Sequence, residues 1–300
     1  MFIISLDCEG KWGMADHLDD YYNKILTNQT ITETYGKLLE HFNRWEIKAT
    51  FAFVGAFSLS VDEYQEHKDC FVNYAIQGKS WLEAFNNDIS KNCYDGWLNP
   101  EAFKLVDREP QHEISPHGFT HVPSGEKSIS RQDFCQELLS LKKITSFKNR
   151  NEMTYIYPRN QIGYIDELEK AGYVGYRDIL IKPRFSNPLL EKMRWFANEL
   201  NLYSSAQSQS KYSYGSIICI PSGYILNHRF GIRKKIPISL TIKRWRNIID
   251  DAIKNNKVVH LYTNPHNFIT GDNMFYLLDN LLSTIYNYMR TNEIKNVTQK

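Results

Sequence analysis

The run Phe2-Ile3-Ile4-Ser5-Leu6 breaks at once into Asp7-Cys8-Glu9-Gly10. Five mostly β-prone residues bounded by acidic residues and a glycine predict a strand that ends in a polar site. Alternation along such a strand puts positions 7 and 9 on one face and Cys8 on the other. Two carboxylates side by side are costly unless a cation or a proton is shared between them. A strand-end helix cap or a surface turn is the plainer alternative for the same residues.

The same rhythm continues along the chain. Thr32–Trp45 carries Tyr35, Leu38, Leu39, Phe42 and Trp45 on one helical face, and Ala49–Val54 reads as a second strand. His112–Ser115 is a short extended run, and Ser130 can cap a helix over Arg131–Phe147. Strands at Thr154–Tyr157, Tyr173–Tyr176, Ser216–Ile220 and Val258–Tyr262 alternate with helices at Ile162–Ala171, Pro188–Leu200, Leu240–Lys254 and Asn273–Met289. Alternating strands and helices imply βαβ units and a parallel α/β fold, either a TIM-like barrel or an open doubly wound sheet. The segment 68–110 breaks this rhythm and reads as helices or loops inserted before the third strand. No linker, repeat or low-complexity tract divides residues 1–300, which read as one domain.

The composition excludes several classes. With 42% apolar and 23% charged residues in 300, the chain can bury a large core without metal or disulfide support. No apolar run approaches the ~18 residues of a spanning helix. Phe2–Leu6 is too short and too quickly interrupted for a secretory signal, which predicts a cytoplasmic protein. Five cysteines without C-x-x-C spacing fit a reducing compartment. The net charge of +2 hides an asymmetry: positions 1–120 hold 10 basic and 19 acidic residues, while 182–257 hold 14 basic and 4 acidic. Folding can interleave the two. Otherwise the basic segment, sharpest at Arg233-Lys234-Lys235, forms a rim for an anionic substrate or for weak association with a membrane surface. Nothing in the chain points to nucleic acid.

Four polar clusters each follow a predicted strand: Asp7–Gly10, His117–His121, Pro158–Asn160 and Asn264–Asn267. In a parallel α/β protein all strand C-termini share one face, so these clusters can converge. His117 and His121 lie in a turn between Pro116 and Pro123, where Gly118 lets the backbone curl; both imidazoles can then face one divalent cation. A solvated or hydrogen-bonded histidine pair is the alternative. Asp7 or Glu9 would supply the third ligand, the other carboxylate taking a proton from an activated water. Arg159 is a candidate substrate anchor or backbone oxyanion donor, unless it only pairs with Asp166 or Glu167. His260 lies inside a strand and reads as a core histidine. His266, in a loop beyond the strand, is the candidate acid. Beside two carboxylates the Cys8 thiolate is disfavoured.

These residues resemble the polysaccharide deacetylase superfamily, also called NodB-homology or carbohydrate esterase family 4. Ser5–Gly10 is similar to its aspartate-bearing strand end, and Lys48–Gly55 to its second strand. Glu113-Ile114-Ser115-Pro116-His117-Gly118-Phe119-Thr120-His121 resembles its histidine motif. Tyr157–Asn160 with Gly172-Tyr173 resembles its third motif region, and Val259–Tyr262 with Asn264-Pro265-His266 its last. The resemblance implies a distorted (β/α)7 barrel and hydrolysis of an acetyl group, most often N-acetyl, on a sugar of a polysaccharide or its precursor. It implies Asp7 as base, and Glu9, His117 and His121 as ligands of a divalent metal, zinc by preference. It further implies the Arg159 backbone N–H at the oxyanion and His266 as acid. The chain departs from the family pattern in three places. Cys8 separates the two acids, Arg159 stands where a tyrosine is common, and Asn264 stands where comparable members have histidine. Two other functions fit the same residues: a non-catalytic glycan-binding relative, and an amidohydrolase of this fold acting on a small amide.

Overall fold

The computed structural model describes residues 1–179, 187, 190, 193, 206 and 213–300. Its strands are β1 (Phe2–Cys8), β2 (Thr50–Phe53), β3 (Ala75–Ile76), β4 (Lys79–Ser80), β5 (Glu113–Pro116), β6 (Thr154–Tyr155), β7 (Gly175–Arg177), β8 (Ser213–Tyr214), β9 (Ile217–Ile220), β10 (Tyr224–Ile225) and β11 (Val259–Thr263). Five of them form a wholly parallel sheet in the order β10-β11-β1-β2-β5. A second sheet runs β6-β7-β9-β8, parallel except for the edge pair β8-β9. The two meet where the Ile156 N–H donates to Pro116 O at 3.1 Å and Ser115 Oγ to Thr154 O at 2.7 Å. β1 is buried along its whole length, as a central parallel strand requires.

The helices pack where the apolar periodicity puts them. Asn28–Arg44 opens on a capping box at Thr27 and buries Ile31, Tyr35, Leu38, Leu39 and Phe42. Its Tyr35 ring lies 5.8 Å from Phe53 on β2. Ile238–Lys254 and Met274–Arg290 cover the sequence-predicted spans to within two residues. The expected Arg131–Phe147 helix is divided: Ile144 is extended and fully buried, so Arg131–Lys143 ends there and a short turn, Thr145–Lys148, follows. The helix expected from Ile162 begins only at Ile165, because Tyr164 is left-handed. The predicted helix Pro188–Leu200 lies outside the described residues, apart from Leu190 and Met193.

The inserted segment between β2 and β5 contains the β3–β4 hairpin as well as helices Glu83–Ile89 and Pro100–Asp107. Its aromatic residues serve the first polar cluster. Trp12 lies 4.8 Å from Phe85 and 5.0 Å from Trp97, and its indole N–H donates to Trp97 O at 2.8 Å. Each fully buried ring contributes about 2 kcal/mol or more of apolar burial. That packing fixes the turn Gly10–Met14 directly after β1. Gly10 is needed there: its φ is +55°, and a Cβ would come within 2.6 Å of Gly96 O.

Candidate metal centre

β1 ends at Cys8, and Glu9 takes helical dihedrals (φ −107°, ψ −26°) as it enters the turn Gly10–Met14. Simple strand alternation therefore does not extend to Glu9, contrary to the sequence expectation. Both carboxylates nevertheless reach the same imidazole. His117 Nε2 is 3.3 Å from Glu9 Oε1 and 3.9 Å from Asp7 Oδ2.

The histidine turn is held on three sides. Phe119 O accepts from the Ala56 N–H, and Gly118 O from the Gly55 N–H. The Trp81 indole donates to Thr120 O at 2.9 Å. The buried Glu137 carboxylate accepts from the Phe119 and Thr120 N–H groups and from the Thr120 hydroxyl. Gly118 and His121 adopt positive φ, which lets the turn curl back. The two imidazoles come to 4.8 Å between centroids, each only 1% exposed.

The His117 Nδ1–H donates to Ile156 O at 2.8 Å, which turns Nε2 towards Glu9 Oε1 at 3.3 Å. His121 Nε2 lies 3.1 Å from the same oxygen but out of line for a hydrogen bond. Neither His121 nitrogen has a hydrogen-bond partner among the described residues. Buried acceptors facing one another with an orphaned imidazole cost free energy unless positive charge lies among them. Glu9, His117 and His121 thus fit a divalent cation: one carboxylate and two imidazoles, the donor set of a zinc site with an open position. Burial pushes the Glu9 carboxyl up, but the nearness of His121 and His117 outweighs it and holds it well below the usual range. Burial pushes His121 down, against the charge of Glu9. A second group with metal-ligating atoms, His67, Asp69 and Cys70, has its exposed carboxylate paired with Lys143 at 2.7 Å.

Asp7 is gripped by a residue the sequence did not single out. Arg177, on β7, donates to Asp7 Oδ1 at 2.7 Å and to Oδ2 at 2.8 Å. The same guanidinium donates to Asn160 Oδ1 and Ser5 Oγ and lies 4.7 Å from the centroid of Tyr262. A buried, two-pronged ion pair of this kind fixes a carboxylate's orientation. The only available signal was an arginine immediately after the apolar run Tyr173–Tyr176.

The remaining candidates occupy distinct places. His260 sits between Pro221 O (2.7 Å) and Ser5 Oγ (2.8 Å), and burial lowers it to about 3, as befits a core histidine. His266 precedes the turn Asn267–Thr270. Burial lowers its imidazole, while the charges of Glu9 and Asp7 pull it up. Asn264 donates to Glu9 Oε2 at 2.9 Å. Arg159 has a left-handed backbone, and its N–H donates to no protein group among the described residues. Its side chain pairs with Asp16 and lies 5.1 Å over the Trp81 ring. The alternative partners considered for it, Asp166 and Glu167, are taken by Arg131. Cys8 is fully buried, and burial raises its thiol further above the ordinary range.

No family model matches the sequence, and no curated protein matches it either. The structure does have likenesses. A proposed polysaccharide deacetylase from Mycobacterium smegmatis superposes with a TM-score of 0.53 at 11% identity, over 98% of this chain and 91% of that one. The Xyl-CE4 domain of a xylanase from the hindgut metagenome of Trinervitermes trinervoides gives a TM-score of 0.44 at 11% identity, covering 99% of this chain and 86% of that domain. The Bc1960 peptidoglycan N-acetylglucosamine deacetylase gives 0.45 at 10% identity, over 99% and 85%. The first matches both chains nearly end to end, and this chain has the fold of that deacetylase-like structure.

Proposed function

We propose that this chain is a metal-dependent hydrolase that removes an acetyl group, by preference N-acetyl, from a sugar of a polysaccharide or its precursor. The observation that carries the reading is the orphaned, buried His121 ring. It closes a Glu9–His117–His121 donor set beside an orientated Asp7. Glu9, His117 and His121 would hold a divalent cation, zinc by preference, and the chemistry it would supply is that of a Lewis acid towards the acetyl carbonyl and the attacking water.

The chain's own residues do the rest. Asp7 takes the proton of the attacking water. Arg177 uses one lone pair of each Asp7 oxygen and leaves another, so the carboxylate stays orientated and able to accept. The Arg159 N–H donates to the developing oxyanion. His266 gives a proton to the departing amine. Asn264 carries no ionisable proton and serves elsewhere.

The link between β5 and Ile156, and the three-residue passage from β9 to β10, support closure of the two sheets into a distorted (β/α)7 barrel. All five cysteines are free, which suits a reducing compartment and a substrate made inside the cell. Among the described residues no helix is long and apolar enough to cross a membrane.

The basic rim takes a defined form in the turn Gly231–Lys235. Buried Arg229 fastens it by donating to the carbonyls of Ile236, Lys234 and Asp272. The turn presents Arg233, Lys234 and Lys235 around Ile232, which is 71% exposed. Such a rim suits an anionic glycan precursor or weak contact with an anionic membrane surface.

Acetate release from acetylated sugars by the zinc-loaded protein tests the function. Release that vanishes in Asp7→Asn and His117→Ala is the expected result, and release unchanged in either variant contradicts it. Metal uptake with no turnover on any acetylated sugar, together with glycan binding, favours the non-catalytic reading instead.

A further inference from the structure

Glu9 offers one oxygen to the two imidazoles, and its other oxygen is held from two sides. Oε2 accepts from Asn264 Nδ2 at 2.9 Å. On another side lies Gly13, in the turn Gly10–Met14: a Cβ there would stand 2.1 Å from Oε2 and 2.9 Å from the carboxyl carbon. Gly13 is not among the positive-φ glycines, so space rather than backbone conformation makes it a glycine. We infer that Gly13 and Asn264 form a cradle for Glu9 Oε2 and are positioning residues for the metal centre. The inference rests on the proposed metal-binding role of Glu9, His117 and His121.

The physical need for a cradle follows from the length of the ligand. A glutamate has one more torsion than an aspartate, and freezing it costs rotamer entropy. Unrestrained, its carboxylate can turn either oxygen, or both, towards a cation. The Asn264 bond commits Oε2 outward, and the bare Cα of Gly13 leaves the space that this oxygen occupies. Oε1 is then left 3.3 Å from His117 Nε2 and 3.1 Å from His121 Nε2, ready to bind through a single oxygen.

Asn264 is itself well anchored. It follows β11, its carbonyl accepts from the Asn267 N–H at 3.0 Å, and Pro265 disfavours a helical backbone at position 264. Its amide orientation is fixed by its acceptor, since only the NH2 side can face a carboxylate. The departure at 264 from the family pattern therefore has a use in this chain: it supports the ligand Glu9.

Three variants of the full chain test this: Asn264→Ala, Asn264→Leu, which keeps the shape without the donor, and Gly13→Ala, which intrudes on Oε2. Zinc affinity of the metal-free protein is measured by competition with a chelating dye. The visible absorption of the cobalt(II)-loaded protein reports the coordination, and melting of the metal-free protein reports folding. Each variant is expected to bind zinc about 10- to 100-fold more weakly, as loss of an outer partner of a metal ligand does. The cobalt spectrum should change while the metal-free melting temperature stays near that of the parent. Gly13→Ala and Asn264→Ala combined should cost less than the sum of the two, because both act on one oxygen. Zinc affinity within twofold of the parent with a parental cobalt spectrum overturns the cradle. So does a fall in metal-free melting with the spectrum unchanged, which marks a merely structural role. If the parent takes up no zinc, the metal centre fails and the cradle with it. If the parent binds and the variants bind equally well, only the cradle fails.

Discussion

At the scale of single residues, the account turns on Asp7 and its guanidinium. Both partners are buried, so removing one leaves the other charged, desolvated and alone. Arg177→Met is expected to destabilise the fold by about 3–5 kcal/mol, read as the change in urea midpoint at constant slope. A loss below about 1 kcal/mol would show that Asp7 finds solvent or another partner. Asp7→Asn strands the buried guanidinium in the same way and should also destabilise the fold, and in the folded fraction it should lower acetate release by about 10²- to 10⁴-fold. Asp7, Glu9, His117 and His121 were legible in the sequence because each stands at or just beyond the C-terminal end of a strand. Arg177 was not, because it reaches Asp7 across 170 positions of chain and from the other sheet. Neither periodicity nor spacing encodes such a contact. Asn264 was legible as a departure, but its acceptor appears only when β11 is laid beside β1.

At the scale of elements, helix Arg131–Lys143 ties the histidine turn to the rest of the fold. Its Glu137 carboxylate receives two backbone N–H groups and a hydroxyl, yet burial pushes its pKa up to about 7. The folded chain therefore holds this proton up to about pH 7, whereas the unfolded chain releases it near the ordinary glutamate value of 4.5. Between those values the folded state binds more protons, so this group's contribution to stability falls as pH rises, by about 3 kcal/mol in all. Urea unfolding of the parent and of Glu137→Gln from pH 5 to 8 checks this: the parent should lose ground to the variant as pH rises. A difference flat with pH would place the carboxyl pKa at its ordinary value. The helix itself was readable from Ser130 onwards, since Ser130 and Asp133 form a capping box. Its end was not: apolar spacing continues to Phe147, and only the burial of Ile144 in an extended conformation interrupts it. Local propensity yields there to packing.

At the scale of the molecule, the alternation of strands and helices forecast a parallel α/β architecture. The division into two sheets, linked beside the histidine turn, follows from pairings too short and too distant to read locally. The acidic N-terminal part supplies the carboxylates of the candidate metal site, and the basic part supplies an exposed turn. Three cations near an anionic surface contribute about 3 kcal/mol together at low salt. The protein should therefore sediment with vesicles containing phosphatidylglycerol more than with phosphatidylcholine alone, and lose that binding in 0.5 M salt or on replacing Arg233, Lys234 and Lys235 with glutamine. Equal sedimentation with both vesicles would remove the membrane contact and leave an anionic glycan as the partner of the rim. Elemental analysis of the purified parent beside the His117→Ala/His121→Ala double variant shows whether Glu9, His117 and His121 hold a cation. Close to one zinc or other divalent ion per parent chain and almost none in the variant is the expected result. A parent that stays metal-free after reconstitution with excess zinc, or a variant that keeps its metal, would contradict it.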